Sequence, residues 1–176
     1  SSPVTPETSS ALPTTAAHTP PPGGGANGTT ATAPRVAEAS VDQLVERVRA
    51  AVEGHREQLL SWRRQVHQHP EVSWEEHRTT DLVAGVLEQA GARVRRLPGT
   101  GALGEIGHEE PRVRIGLRAD LDALPVDELT GLPYASQEPG VCHACGHDVH
   151  PVGVLGAGLA LLDLQHELVA RRAAVR

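Results

Sequence analysis

The sequence has few cysteines and no long apolar run. It contains only two cysteines in 176 residues, which argues against a framework of disulfide bonds and favours a reducing compartment. No run of residues approaches the ~20 apolar positions that a membrane-spanning helix requires. The first forty residues also lack the hydrophobic core of a secretory signal peptide. We therefore expect a cytoplasmic protein without a membrane partner.

Lysine, methionine and phenylalanine are absent, and all 16 basic residues are arginine. Nucleic-acid-binding proteins concentrate basic charge on one face, whereas these arginines are scattered and the formal net charge is −6. We therefore expect no nucleic-acid partner. Because the sequence has no initiator methionine and stops at Arg176 within a helix-to-strand transition, we expect it to be a fragment of a longer protein.

The composition divides the chain into two parts. Residues 1–40 are rich in serine, threonine, proline, glycine and alanine, and they include the run Pro20–Gly25. Such a segment cannot bury enough apolar surface to offset its ordering entropy, which predicts a disordered tail. Residues 41–176 carry the periodic apolar patterns of a folded domain, and Ser40 is a good residue to begin the first helix.

The folded part alternates between helical and strand periodicity. A first helix is predicted from Ser40 to just before Pro70, with Gly54 as a candidate interruption. A second is predicted from Ser73, where Ser73 and Glu76 have the spacing of a capping box. Short strands and a final helix follow. This order favours an α/β layered fold. The predicted strands are 93–97, 102–106 and 113–117, and the predicted final helix is 152–171.

Two clusters of polar side chains follow the third predicted strand. Asp120 and Asp122 come directly after it, at the end of the strand where ligand sites form in open α/β sheets. The alternative is that one caps a turn and the other pairs with Arg118. The second cluster, Cys142–His150, has six metal-binding side chains in nine residues. So dense a set is costly unless its members share a cation or a hydrogen-bond network.

The spacing of the second cluster leaves several alternatives. Cys142 and Cys145 could form a redox pair, although no predicted helix begins at Cys142. They could be half of a structural zinc site, but no second pair follows, and a haem motif would need histidine where Gly146 stands. A catalytic metal bound by Cys145 and His147 is favoured over a loop of satisfied polar groups. In that hypothesis two neighbours orient the ligands, Asp148 and His150.

Five ordered motifs occur along the folded part: RQVHQHPE (64–71), SWEE (73–76), RADLDALP (118–125), GLPYAS (131–136) and HACGHD (143–148). Together they resemble one family of metal-dependent amidohydrolases. The family includes hippurate hydrolase, auxin-conjugate hydrolase and N-acetyl-diaminopimelate deacetylase, and it is related to aminoacylase and glutamate carboxypeptidase. The resemblance covers about 59–162. It implies the N-terminal part of a three-layer, zinc-peptidase-like catalytic domain of α/β class.

The resemblance implies roles only where residues match. Cys145 and His147 match two metal ligands, with Cys145 where the wider superfamily has a bridging carboxylate. Asp122 matches the acidic residue that supports the metal site, whereas Asp120 stands where a histidine is common. Cys142 departs from the family, in which methionine is usual. The intact site is expected to hold two divalent ions of zinc, manganese, cobalt or nickel.

The activity implied is hydrolysis of the amide bond in N-acyl amino acids or related small conjugates. The resemblance also implies that the general-base glutamate and a lid domain for homodimerisation lie beyond the end of this chain, so we expect an inactive fragment. The acidic pairs Glu75–Glu76 and Glu109–Glu110 are expected to be solvated. Two alternatives stay open: a non-enzymatic cysteine/histidine module that binds metal or performs thiol redox chemistry, and a truncated pseudoenzyme.

Overall fold

The computed structural model describes residues 39–176, which form five helices and four strands. The predicted disordered tail, residues 1–40, lies almost wholly outside the described residues. The helices are α1 (Val41–Gly54), α2 (Arg56–Gln68), α3 (His77–Gln89), α4 (Val149–Asp163) and α5 (Gln165–Ala170). The strands are β1 (Arg93–Arg96), β2 (Ala102–Gly107), β3 (Val113–Ile115) and β4 (Ala173–Val175).

The predicted first helix begins as expected but is divided. The Ser40 hydroxyl accepts the Gln43 N–H at 3.2 Å, and the Gln43 side chain accepts the Ser40 N–H at 2.9 Å. These two bonds form a capping box that satisfies the free donors at the start of α1. The helix is interrupted at His55, directly after Gly54, and continues as α2 until Pro70 prevents further extension.

The predicted start of the second helix was wrong. Helix α3 begins at His77, and the Ser73 hydroxyl donates to Asp122 rather than capping a helix. The Glu71 carboxylate takes the capping role instead. Both of its oxygens accept backbone N–H groups at 2.8 Å, and an ionised acceptor bonds a helix N-terminus more strongly than a hydroxyl does. The capped amides are those of Arg78 and Thr79.

The four strands form one mixed sheet in the order β1-β2-β4-β3. Strand β2 pairs antiparallel with β1 and β4, and β3 pairs parallel with β4. The three predicted strands are confirmed; β1 and β3 end earlier than predicted, at Arg96 and Ile115, and β2 extends one residue further, to Gly107. The single final helix was wrong, because α4 ends at Asp163 and α5 and β4 follow. Strand β4 has three residues, too few to show a periodic pattern.

Helix α4 is the centre of the packing. Its Leu155 and Leu159 are buried, and it contacts α1, α2, α3 and β2. Glycines let neighbours approach closely, because a Cβ at Gly156 would lie 3.1 Å from the Leu59 side chain. The α/β class is confirmed. None of the helices in residues 39–176 combines the length and apolar character that a membrane crossing requires.

Replacing Gly107 by alanine should destabilise the sheet strongly. Gly107 has φ +102°, and an added Cβ would lie 2.5 Å from the Ala173 carbonyl oxygen on the neighbouring strand. We expect a loss of ~3 kcal/mol in the free energy of unfolding, from backbone strain together with the clash. Gly99→Ala is the control, since φ is +86° but a Cβ there meets nothing within 4 Å. Urea denaturation giving equal losses for both variants would contradict this packing.

Candidate metal centre

Backbone pairing brings the two predicted clusters together. Leu124, two residues after Asp122, forms an antiparallel bridge with Cys142, and each N–H donates to the other's carbonyl at 2.9 and 3.0 Å. Ala123, the buried residue between Asp122 and Leu124, donates its N–H to the Glu71 carbonyl at 2.7 Å. The segment is thus anchored on both sides. The turns that follow Cys142 therefore lie beside Asp122.

The Cys145 thiol and the His147 imidazole both lie near one atom, the backbone carbonyl oxygen of Asp122. The Cys145 Sγ lies 3.7 Å from the backbone carbonyl oxygen of Asp122, and His147 Nδ1 lies 3.1 Å from the same oxygen. Gly146, between them, has φ +83°, a conformation that glycine adopts without the steric cost that a side chain imposes. This turn brings the thiol and the Nδ1 edge of the imidazole to the same carbonyl oxygen.

The Asp122 carboxylate orients the imidazole. Its Oδ1 lies 2.9 Å from His147 Nδ1, and its Oδ2 accepts the Ser73 hydroxyl at 2.6 Å. The Ser73 hydrogen bond, and after it the bond from His147, holds the pKa of Asp122 below its ordinary value. An ionised carboxylate accepts the Nδ1 hydrogen, which leaves Nε2 with the lone pair that a metal ion needs.

Two further predicted residues lie beside His147. One ligand atom each from Asp120, His147 and His150 lie within 4.8 Å of one another. The His147 and His150 rings are 4.8 Å apart between centroids, and His150 Nδ1 is 3.7 Å from Asp120 Oδ2. The other Asp120 oxygen accepts from Arg118 at 3.0 Å, so one pairing weighed for this residue is present.

This set of donors fits a divalent transition-metal ion. Asp120, His147 and His150 place ligand atoms within 4.8 Å of one another, and the Cys145 thiol, which lies outside that group, would add the soft ligand that zinc and its neighbours prefer. Cys145 is exposed and accessible, whereas Cys142 is buried with 4% of its surface exposed. The two cysteines are therefore in different environments, and the donors of the site lie on the side of Cys145.

Asp148 faces a different set of partners from its neighbour His147. It occupies the N-cap position of α4, yet its side chain makes no capping hydrogen bond. Its carboxylate, 1% exposed, instead accepts the Arg63 Nε–H at 2.9 Å and lies 2.9 Å from His67 Nδ1. Both partners belong to α2. Asp148 therefore joins the start of α4 to α2 from behind the donor cluster.

His67 is a buried residue for which the sequence predicted no role beyond ending a helix. Its Nε2 lies 3.2 Å from Glu128, and its ring packs edge-on against Tyr134 at 5.4 Å. Glu128 also accepts the backbone N–H of Ser136 at 2.6 Å and the hydroxyl of Thr130. The only signal in the sequence was the histidine pair that precedes Pro70, and that spacing does not reveal which loops α2 will contact.

His143, the third histidine of the cluster, lies apart from the donors. It is buried, and neither ring nitrogen has a hydrogen-bond partner among the described residues. Burial lowers its pKa, because desolvation penalises the charged imidazolium. Its ring lies 6.3 Å from that of His67, between centroids. His143 is therefore a buried imidazole beside His67, with a pKa below its ordinary value.

Known proteins are similar to this chain in sequence. Residues 116–176 match the family described as "Peptidase family M20/M25/M40". N-acetyl-L-cysteine deacetylase of Bacillus subtilis is 46% identical over 112 residues, which are 63% of this chain and 27% of the relative. Thermostable carboxypeptidase 1 of Saccharolobus solfataricus is 40% identical over 129 residues, 72% of this chain and 33% of the relative.

A solved structure is similar as well. It is a Bacillus subtilis protein described as a dinuclear metal binding peptidase from the M20 family, with a TM-score of 0.64 and 37% identity. The match covers 70% of this chain and 34% of that chain. The chain thus spans about a third or less of the length of these relatives. These similarities confirm the resemblance that the RADLDALP and HACGHD motifs predicted.

Glu128, at the rear of the site, should make stability depend on pH. Hydrogen bonds from Thr130, Ser136 and His67 lower its pKa from 4.5 to about 2, and its side chain is 6% exposed. Because the folded pKa is depressed, its stabilisation is complete above the unfolded pKa of 4.5 and is lost as pH falls toward 2. Glu128→Gln should remove a contribution on the order of 2–3 kcal/mol at neutral pH.

The measurement is urea denaturation from neutral pH down to the limit of reversible folding. The difference between wild type and Glu128→Gln should shrink as the solution becomes more acidic. Glu109→Gln, at an exposed carboxylate, is the control and should follow the wild type throughout. A difference for Glu128→Gln that does not change with pH would show that the carboxylate charge contributes nothing.

Proposed function

We propose that this chain carries part of the active site of a metal-dependent amidohydrolase, a proposal supported by the match of residues 116–176 to peptidase family M20/M25/M40 and by the similarity to a dinuclear M20 peptidase. The reaction is hydrolysis of the amide bond in N-acyl amino acids or related small conjugates. One observation carries the proposal above all. The Cys145 thiol and the His147 imidazole converge on the Asp122 carbonyl, and the Asp122 carboxylate orients that imidazole.

In this proposal Cys145 and His147 hold the metal, and Asp122 keeps the hydrogen of the imidazole on Nδ1. Asp120 and His150 are close enough to bind or orient the same ion. The chemistry that a divalent ion supplies in such a site is activation of water at neutral pH and polarisation of the acyl carbonyl. The predicted metals are zinc, manganese, cobalt or nickel, with two ions in the intact site.

The proton that hydrolysis takes from water needs a general base. Neither acidic pair of the sequence is placed for that role in our proposal. Glu75 is largely exposed, and the Glu76 carboxylate accepts the Thr100 hydroxyl at 2.6 Å. The pair Glu109–Glu110 lies in the exposed turn before β3. A glutamate base supplied from outside this chain stays the prediction that the family resemblance makes.

A cavity of about 730 Å³ has room for a small acylated substrate, although Cys145, His147 and His150 are not among its lining residues. Asp120 and Asp122 lie at its wall, while most of the remaining lining is apolar. Polar groups at one end of an apolar cleft are typical of sites for small organic ligands. The substrate's acyl chain would contact apolar and aromatic side chains there. They include Trp74, Val83, Leu87, Leu97, Leu121 and Val154.

The relatives' names agree with this substrate class, since one is an N-acetyl-L-cysteine deacetylase and another a carboxypeptidase. Both names denote hydrolysis of an amide bond next to an amino acid. The cytoplasmic setting, the homodimer and the choice of acyl group stay predictions. The alternative of a thiol redox or two-thiolate metal module needs both cysteines, and the burial of Cys142 beside an exposed Cys145 favours the amidohydrolase.

Exchanging each cysteine for serine separates these functions. Cys145→Ser should weaken Co²⁺ binding by roughly 100-fold or more, because it removes one ligand of the ion. Cys142→Ser, the matched control, should leave the affinity within about 3-fold of the wild type. Titration by calorimetry, with the thiolate-to-cobalt absorption band as a second readout, measures both. Equal losses in the two variants would instead support a two-thiolate module.

Activity should depend on His147 in a polypeptide that contains this chain. We expect release of free amino acid from N-acetyl amino acids to require added divalent metal and to fall by at least about 1,000-fold in His147→Ala, because the metal loses a ligand. His166→Ala, at an exposed histidine of α5, is the control and should retain full activity. Metal-independent release, or full activity in His147→Ala, would overturn the proposed function.

A further inference from the structure

The loop that carries the metal donors is held from behind by a buried ionic network. We define the metal loop as residues 142–150 and the rear network as Arg63, His67, Glu128 and Asp148. Asp148 is the member that belongs to both. Its carboxylate is almost completely buried and bonds with two side chains of α2, Arg63 and His67.

The rear network joins two carboxylates through one imidazole. His67 has a carboxylate at each ring nitrogen, Asp148 at 2.9 Å and Glu128 at 3.2 Å. Carboxylate oxygens only accept, so a proton on each ring nitrogen would satisfy both contacts. Arg63 adds a permanent cation beside the Asp148 carboxylate. Glu128 is itself fixed by the 128–136 loop, so three segments of the chain meet at the His67 ring.

A network of this kind is a costly way to stabilise a fold. Well-packed apolar side chains of similar volume often serve stability equally well, because burying charges requires desolvation. Apolar packing does not fix the orientation of a backbone segment as directional hydrogen bonds do. Hydrogen bonds from a fixed helix define the orientation of the Asp148 backbone, and the neighbouring residue in the chain is His147, whose imidazole is a proposed metal ligand.

The absence of a capping bond at Asp148 supports the same conclusion. An aspartate at the N-cap ordinarily bonds the free N–H groups of its own helix. Here the side chain makes no such bond and turns to α2 instead. The last turns of the metal loop, where α4 begins, are instead closed by backbone bonds, from Val149 N–H to Gly146 O at 3.1 Å and from His150 N–H to His147 O at 3.1 Å.

We propose that His67 is a positioning residue: held by Glu128 and acting through Asp148, it fixes the metal loop so that Cys145 and His147 converge. The inference rests on the proposed function, because it takes those two side chains as metal ligands. His67 lies outside the donor cluster and touches neither ligand through any recorded hydrogen bond of the described residues. Its influence passes through the Asp148 carboxylate and the backbone.

The test compares two exchanges of carboxylate for amide at opposite ends of α4. Asp148→Asn keeps the shape of the side chain but removes its charge from the rear network. Glu167→Gln, the control, removes a carboxylate that pairs with Arg47 and Arg171 beyond the other end of α4. His67→Gln is the second test variant, since a glutamine cannot donate to two opposed carboxylates in the way an imidazolium does.

Two measurements apply to each variant. Co²⁺ affinity should fall about 10- to 100-fold in Asp148→Asn and His67→Gln and stay unchanged in Glu167→Gln. Hydrogen exchange of the metal-free protein should become roughly 10-fold faster at the Val149 and His150 amides in both test variants, with the exchange of α1 and α3 unaffected. A merely stabilising network would instead accelerate exchange throughout the fold.

Exchange rates that match the control at Val149 and His150 would overturn the inference. Outright unfolding of both test variants would also overturn it, because the network would then hold the whole fold rather than this loop. The exchange measurement needs no metal, so it separates the two claims. If wild type takes up no Co²⁺ through Cys145 while the loop amides still respond, the proposed function fails and the positioning of the loop stands.

Discussion

The contact between Asp122 and His147 is the constraint on which the account of the site depends. One carboxylate, kept ionised by the Ser73 hydroxyl and by His147 itself, selects the tautomer of the imidazole. The backbone carbonyl of the same residue receives the Cys145 thiol. Two parts of the chain more than twenty residues apart therefore supply one set of donors, and neither part contains the whole arrangement.

Neighbouring segments of the fold hold Asp122 and His147 in contact. The bridge between Leu124 and Cys142 sets the register of the two segments, and α4 begins two residues after His147, with His150 in its first turn. The positive φ of Gly146 turns the chain between the two ligands. Behind them, the ionic network around His67 connects α2 to the start of α4. The front of the loop thus carries the donors, and its rear carries the contacts that orient it.

Much of the architecture could be predicted from the sequence, because strong local signals agreed with the final structure. The capping box at Ser40, the three strands and the glycine between Cys145 and His147 all have local causes. At the start of the second helix, prediction failed because a distant group had displaced the local one. Ser73 has the right spacing to cap a helix, yet it bonds Asp122, and Glu71 caps α3 in its place.

The same reasoning explains what the sequence did not reveal about the site. The donor cluster was predictable because its residues are dense and closely spaced. His67 and Glu128 are 61 positions apart, and no local pattern joins them; only the packing of α2 against the 128–136 loop brings them together. Asp148 was expected to orient the metal ligands, and the sequence did not show that its own partners, Arg63 and His67, lie on α2.

X-ray absorption of the zinc-loaded protein tests the central claim most directly. If Cys145 and His147 bind the same ion, the spectrum must contain a sulfur scatterer at about 2.3 Å together with imidazole scattering at about 2.0–2.1 Å. A zinc shell made only of oxygen and nitrogen would contradict the account, because the thiol beside the Asp122 carbonyl would then take no part in holding the metal.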